Sequence, residues 1–255
     1  MDFFRIKPRL SRYISFFLAL IPIIALANDD NKSLLKDSPY SVAVDLGVAK
    51  PANIGNSTTF PLGYSTFSYS PGSNDVYTSI SGISLNKTFA IAPLYRLQVG
   101  LSYHYVSRMN VNGNLAQGIS PPYYQSSYSF RISSSQYLAE AELHRQFYDR
   151  YFPYIYLGVG VASNSAYDYS TAVPAYLTVT PNYSNRTTNS FTYSLGIGVD
   201  YFIAPKVSLG LGYRFIDLGK VGLGAGIIRN TPLGAKLTQS NLYLNTLLAQ
   251  INYFM

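Results

Sequence analysis

The chain has two histidines, His104 and His144, with Ser102, Glu140 and Glu142 within reach of them along the sequence. A hydroxyl, an imidazole and a carboxylate are the parts of a nucleophilic hydrolase, provided that all three meet at one point. Metal chemistry is a poorer match. Cysteine is absent, and the two histidines lack the spacing of a ligand set, so no metal and no cofactor is expected. Whether the histidines can meet depends on the elements that carry them.

Those elements announce themselves by alternation. From Phe191 to Ile203, Phe191, Tyr193, Leu195, Ile197, Val199, Tyr201 and Ile203 share one face of an extended chain. Thr192, Ser194, Gly196, Gly198 and Asp200 share the other. After Ala204-Pro205-Lys206 the pattern restarts, with Val207, Leu209, Leu211, Tyr213 and Phe215 against Ser208, Gly210, Gly212 and Arg214. Successive side chains of a strand point to opposite faces, so this is a hairpin with one apolar face and one small or charged face. Such a pairing suits lipid outside and a crowded polar lumen inside.

The same test yields eight strands: Ser41 to Ala49, Val76 to Phe89, Tyr95 to Tyr105, Ser135 to Phe147, Tyr154 to Ala162, the two of the hairpin, and Asn241 to Met255. In the second the phase shifts near Ser81-Gly82, where a β-bulge is expected. Connections alternate in length. Short ones (Ala90 to Leu94, Tyr148 to Pro153, Ala204 to Lys206) separate long polar ones (Pro51 to Asp75, Ser107 to Ser134, Ser163 to Ser190, Leu218 to Ser240). Outer-membrane barrels have short periplasmic turns and longer extracellular loops, and an even strand count leaves both ends in the periplasm. The expected fold is therefore all-β, an eight-stranded antiparallel transmembrane β-barrel over residues 40–255, in the outer membrane of a Gram-negative cell.

Composition agrees. Charged residues make up 12% of the 255, against about a quarter in soluble domains. No apolar run of about 20 residues follows the N-terminus, which excludes a helical membrane protein. Arg5, Lys7, Arg9 and Arg12, the apolar stretch Tyr13 to Ile24 and Ala25-Leu26-Ala27 read as a cleaved signal peptide over residues 1–27. An uncleaved anchor is the alternative, and residues 28–39 read as a flexible leader. Cleavage removes four basic residues and one acid, so the net charge falls from +7 to +4. No basic stripe with a nucleic-acid module is visible, and nucleic acid is not expected as a partner. Aromatics mark two lipid interfaces: Tyr103, Tyr105, Tyr137, Phe191, Tyr193, Tyr213 and Phe215 outside, and Phe89, Phe147, Tyr151, Phe152, Tyr201 and Tyr253 on the periplasmic side.

On this frame His104 falls near the outer end of its strand and His144 near the periplasmic end, too far apart for one active site. No catalytic residue is expected. The inward residues Asp45, Arg96, Gln98, His104, Glu140, Glu142, His144, Asp200, Arg214, Gln250 and Asn252 form a structural lumen network instead, since an eight-stranded barrel is just wide enough to be filled by side chains. Arg96 faces the neighbouring strand and is expected to pair with Glu140 or Glu142. A gated polar pathway is the alternative use of the same groups.

The segment GIGVDYFIAPKVSLGLGYRFIDLGK, Gly196 to Lys220, resembles the closing hairpin of small outer-membrane β-barrels of the opacity-protein and outer-membrane-protein-A type, most specifically at Gly212 to Gly219. The C-terminal strand is similar to that family's assembly signal, with Leu247, Ala249, Ile251 and Tyr253 in phase and Met255 where Phe is usual. The resemblance implies insertion by the barrel-assembly machinery, contact with outer-membrane lipid and a monomeric barrel. Barrels of this kind span adhesion, structural support, immune evasion and small-solute passage, and the first expectation here is a non-enzymatic role in envelope integrity or in cell-surface and host interaction through four exposed loops. Tyr, Ser, Asn and Gly in those loops suit adaptable contacts with a surface ligand. A narrow channel for small or hydrophobic solutes, resembling outer-membrane-protein-W barrels, is kept open by the glycines at 196, 198, 210 and 212. A lipid-modifying barrel enzyme is the third reading.

Overall fold

The computed structural model describes residues 39–62, 65–72, 77–118, 126–148, 150–173 and 180–255. The expected signal peptide, and the expected leader up to residue 38, lie outside the described residues. In chain order the strands are β1 (Tyr40–Pro51), β2 (Thr58–Leu62), β3 (Ser65–Pro71), β4 (Thr78–Ala92), β5 (Tyr95–Gln117), β6 (Ser126–Arg145) and β7 (Tyr151–Ala172). They continue with β8 (Asn182–Tyr183), β9 (Arg186–Ala204), β10 (Val207–Asp217), β11 (Val221–Gly222), β12 (Gly226–Ile228), β13 (Thr231–Leu233), β14 (Thr238–Gln239) and β15 (Tyr243–Phe254).

Eight of these form a ring, β1-β4-β5-β6-β7-β9-β10-β15, in which every strand is hydrogen-bonded antiparallel to two neighbours. The ring leaves no unpaired edge, the condition for strands to stand in lipid. The first and last strands close it, with Ser41 opposite Phe254 and Pro51 opposite Leu244. Outside, Val44, Leu46, Leu85, Leu101, Ile155, Leu157, Leu211, Leu247 and Ile251 are all about half exposed, an apolar girdle that only lipid would solvate. Inside, the alternate residues are buried.

The strands run well past that girdle, which corrects the expected loops. Ser107 to Ser134 is not an irregular connection: β5 continues to Gln117 and β6 begins at Ser126. The physical reason is a reversal of polarity. A register shift between Val106 and Met109 turns β5 over, and above it Met109, Val111 and Leu115 point inward while Asn110, Asn112 and Asn114 point outward. On β6 no such shift occurs at the crossing, yet Tyr128, Phe130 and Ile132 lie inside where Gln136, Glu140 and Glu142 do lower down. Water replaces lipid around the wall, so polar groups face out and apolar groups fill the centre. Likewise Ser163 to Ala172 extends β7, and β9 begins at Arg186.

Two further corrections concern β4 and the periplasmic end. No bulge occurs at Ser81-Gly82; the register with β1 and β5 is unbroken there, and the ladder to β5 slips only at Ala90/Ala92. The apparent phase change arises because Ile80 belongs to the apolar core above the girdle and is buried there. Gly82 instead makes room: a β-carbon on it would strike the His104 ring. Phe152 is not an interface residue, because it lies inside, packed with Phe202 and Phe254.

Candidate functional site

The lumen has two storeys, each built by inward side chains at every second residue. The lower storey is polar. All eleven residues of the expected network are buried within it. Arg214, on β10, reaches across to Glu142 on β6 (Nη2 to Oε1, 3.4 Å) and to Asp45 on β1 (Nη1 to Oδ2, 3.7 Å). Its guanidinium lies 3.8 Å from the centre of the Tyr156 ring, whose hydroxyl donates to Glu140 at 3.2 Å. His104 Nδ1 is 3.7 Å from Asp45 Oδ2. His144 stands 3.1 Å from Glu142 and 3.7 Å from Asp200. The two histidines therefore belong to one chain, His104–Asp45–Arg214–Glu142–His144–Asp200, that runs along the barrel. His144 is hydrogen-bonded to Glu142, whereas His104 lies beside Asp45 without a hydrogen bond to it.

Arg96 does not follow expectation. Its cross-strand neighbour is His144, and its guanidinium lies 5.2 Å over the Phe152 ring. Glu142 is taken by Arg214 and His144, and Glu140 by Tyr156. Gln98 donates to Ser41 (3.1 Å), and Asn252 donates to Ser208 (3.0 Å). Gln250 sits opposite Asp45 on the closing strand pair. The proposed assembly-signal residues Leu247, Ile251, Tyr253 and Met255 are about half exposed on the lipid side, and Ala249 shares their face. Phe254, one place out of phase, belongs to the interior cluster.

The glycine faces mean something other than open space. Tyr154 projects inward from β7, and its ring lies where a β-carbon on Gly198 would be, while its hydroxyl is 2.7 Å from the equivalent point at Gly212. Tyr156 stands likewise against Gly158, at 2.6 Å. Gly198 and Gly212 thus make a socket for Tyr154 of β7, and Gly158 makes room for Tyr156 of its own strand. A tyrosine on the inward phase of an otherwise polar face is the signal that would have found them. The pocket at the periplasmic end, between Arg96, Gln98, His144, Phe152 and Asp200, measures about 10 Å³, near the space of a single water.

The upper storey is an apolar plug. The segment between β10 and β15, read as a polar loop, turns back into the mouth and buries Leu218, Val221, Leu223, Leu237 and Leu242 against Met109, Phe130 and Ile132. Polar clamps hold it. Asn164 donates to the carbonyls of Leu218 (2.7 Å) and Lys220 (2.9 Å). The Asp217 carboxylate accepts from the Gly219 amide and from Asn241, both at 2.8 Å. Gln239 donates to Asn53 and Asn241 and accepts from the Gly55 amide, tying the segment to the connection after β1. Above it Tyr69, Tyr128, Tyr169 and Tyr183 meet ring to ring, with the Tyr69 and Tyr169 hydroxyls 3.1 Å apart. Burial pushes all four phenols above the ordinary tyrosine range.

An eight-strand ring with an apolar girdle and a charged interior defines a transmembrane β-barrel. Residues 36–253 match the outer membrane protein beta-barrel domain family, and the chain belongs to it. It is a protein of the Gram-negative outer membrane. No curated protein matches the chain. Similar solved structures include the Neisserial surface protein A, 14% identical over 85% of this chain and 97% of that one, with a TM-score of 0.45. The outer membrane protease OmpT from Escherichia coli is 10% identical, over 89% and 100%, at 0.48. The outer membrane protein OprG from Pseudomonas aeruginosa is 11% identical, over 88% and 99%, at 0.44.

Proposed function

We propose that the protein is a non-enzymatic surface barrel that serves envelope integrity or cell-surface interaction through its extracellular end. The observation that carries this reading is the plugged upper storey. Strands β5, β6 and β7 extend beyond the lipid girdle into a folded platform with its own core, at the end of the barrel that carries the four long connections of the sequence. A filled lower storey supports a sealed barrel over a channel for small or hydrophobic solutes, because tyrosines occupy the sockets that glycines leave. Burial of Ser102, His104 and Glu140 inside the wall weighs against a lipid-modifying enzyme, whose substrate arrives from outside. The test is a strain whose barrel is inserted but whose four connections are replaced by short turns. Loss of surface attachment or of detergent resistance is expected; a strain that keeps both would contradict the proposal.

A further inference from the structure

The extracellular platform has no disulfide to hold its strands, since the chain has no cysteine. Above the closed ring β7 outruns β9, whose ladder to it stops at Ala166, and β5 takes β3 as its neighbour instead of β4. The upper sheet therefore runs β2-β3-β5-β6-β7 and is open between β3 and β7. Across that opening the hydroxyls of Tyr69 on β3 and Tyr169 on β7 stand 3.1 Å apart, a hydrogen bond between residues 100 apart in the chain. Tyr183 meets the Tyr169 ring edge-on at 5.0 Å, and Tyr128 meets Tyr69 at 5.1 Å. Tyr69 is only 1% exposed, whereas Tyr169 is half-buried and lines an open hollow of the outer wall with Ser129 and Ser170. Packing alone does not call for hydroxyls here. Phe60 and Phe130 fill the same apolar space beside these rings, without the cost of burying a polar group.

We propose that Tyr69 and Tyr169 are a site of oxidative modification, at which peroxyl radicals from the medium convert the hydrogen-bonded pair into a dityrosine staple across the platform. A peroxyl radical takes the hydroxyl hydrogen atom of Tyr169, the less buried of the two, and becomes a hydroperoxide. The Tyr169 phenoxyl then draws the hydrogen atom of Tyr69 across the 3.1 Å contact, which restores Tyr169 and moves the radical inward. A second peroxyl radical removes the hydrogen atom of Tyr169 again. The two phenoxyls couple through ring carbons next to their oxygens, and each coupled carbon gives up its hydrogen to the oxygen of its own ring. Two tyrosines thus lose two hydrogen atoms, and two peroxyl radicals leave as hydroperoxides. In the product the hydroxyls flank the new bond side by side, the arrangement that the hydrogen bond already favours. Tyr183 is not equivalent, because its hydroxyl has no hydrogen-bond partner through which a hydrogen atom can pass. The new bond closes a long loop and constrains the opened chain as a disulfide does.

The test exposes the folded full-length protein in detergent to peroxyl radicals from a water-soluble azo initiator decomposing in air. Dityrosine fluorescence, a mass lower by two hydrogen atoms and a cross-linked peptide joining Tyr69 to Tyr169 are expected in the monomer band. Tyr69→Phe and Tyr169→Phe keep the rings and should each abolish that peptide. Tyr183→Phe should leave its yield at the parental level, as should Tyr137→Phe, which removes one ring of the Tyr103–Tyr137 pair on the lipid side. Heat-modifiable gel mobility reports that each variant is folded, and the peptide map of the parent decides the matter even if one is not. In the cross-linked protein, amide exchange at β3 should slow roughly tenfold against the untreated protein. Absence of the Tyr69–Tyr169 peptide from the folded, treated parent overturns the proposal. So does dityrosine that maps to Tyr103 and Tyr137 instead, or dityrosine in the platform that survives Tyr69→Phe. Exchange at β3 that the bond leaves unchanged overturns the staple.

Discussion

A methyl group added at Gly198 would meet the Tyr154 ring and lie 2.8 Å from the Leu211 carbonyl, so either the ring or the backbone must move. Overpacking of this kind costs about 1–3 kcal/mol, and Gly198→Ala is expected to destabilise the barrel by that amount in urea titrations followed by gel mobility. In a Tyr154→Ala background the cost should shrink, and this coupling separates a socket from a pore-lining glycine. Equal cost in both backgrounds would refute the socket. Arg214 poses the opposite problem. It is buried between Asp45 and Glu142, so Arg214→Ala removes the guanidinium that the two carboxylates share, and a loss of about 3–5 kcal/mol is expected in the same assay. Arg96→Ala tests the rest of the network, since unchanged thermal stability in detergent would remove Arg96 from it.

Among the elements, the β10–β15 connection departs most from a surface loop. Its first residues depend on Asn164, whose amide nitrogen donates to two of their carbonyls, so Asn164→Ala should release the segment and leave the ring intact. Losing about 1.4 kcal/mol of local hydrogen bonding corresponds to roughly tenfold faster amide exchange at Val221 and Gly222, and exchange at β10 should not change. The contrast with the strands explains what was legible beforehand. Within the girdle, lipid outside and a polar lumen inside give each strand one fixed polarity, so Val207 to Phe215 could be read residue by residue. Above the girdle the polarity inverts, and Met109-Asn110-Val111-Asn112 carries the same period with the opposite sign. The alternation was present, but a rule that places apolar residues outward cannot assign it. Leu218 to Leu242 was harder still, because its inward packing is set by β5, β6 and β7, which are remote in sequence. Arg96 failed for a related reason: the neighbouring strand was foreseen, but not that Arg214 from across the lumen would take Glu142.

At the scale of the whole molecule, the two storeys respond differently to pH. The upper one buries Tyr69, Tyr128 and Tyr183 and half-buries Tyr169, and desolvation holds the four phenols above their ordinary range. In the unfolded chain these groups ionise near pH 10. Above that point the unfolded state has lost protons that the folded state keeps, so stability is unaffected below pH 10 and falls as pH rises beyond it. Phenolate absorbance should accordingly lag behind that of the denatured protein, and a four-tyrosine deficit should vanish only as the extracellular platform unfolds. Titration superimposable on that of the unfolded chain would argue against the buried cluster.

A filled lower storey beneath a clamped upper one predicts a barrel that passes nothing. Purified protein inserted into planar bilayers measures this directly by single-channel recording. Flat current traces across a range of voltages are the expected result, in protein shown to be folded by its gel mobility. Reproducible conductance steps from the same folded preparation would contradict the sealed barrel and return the glycine faces to the role of a pore.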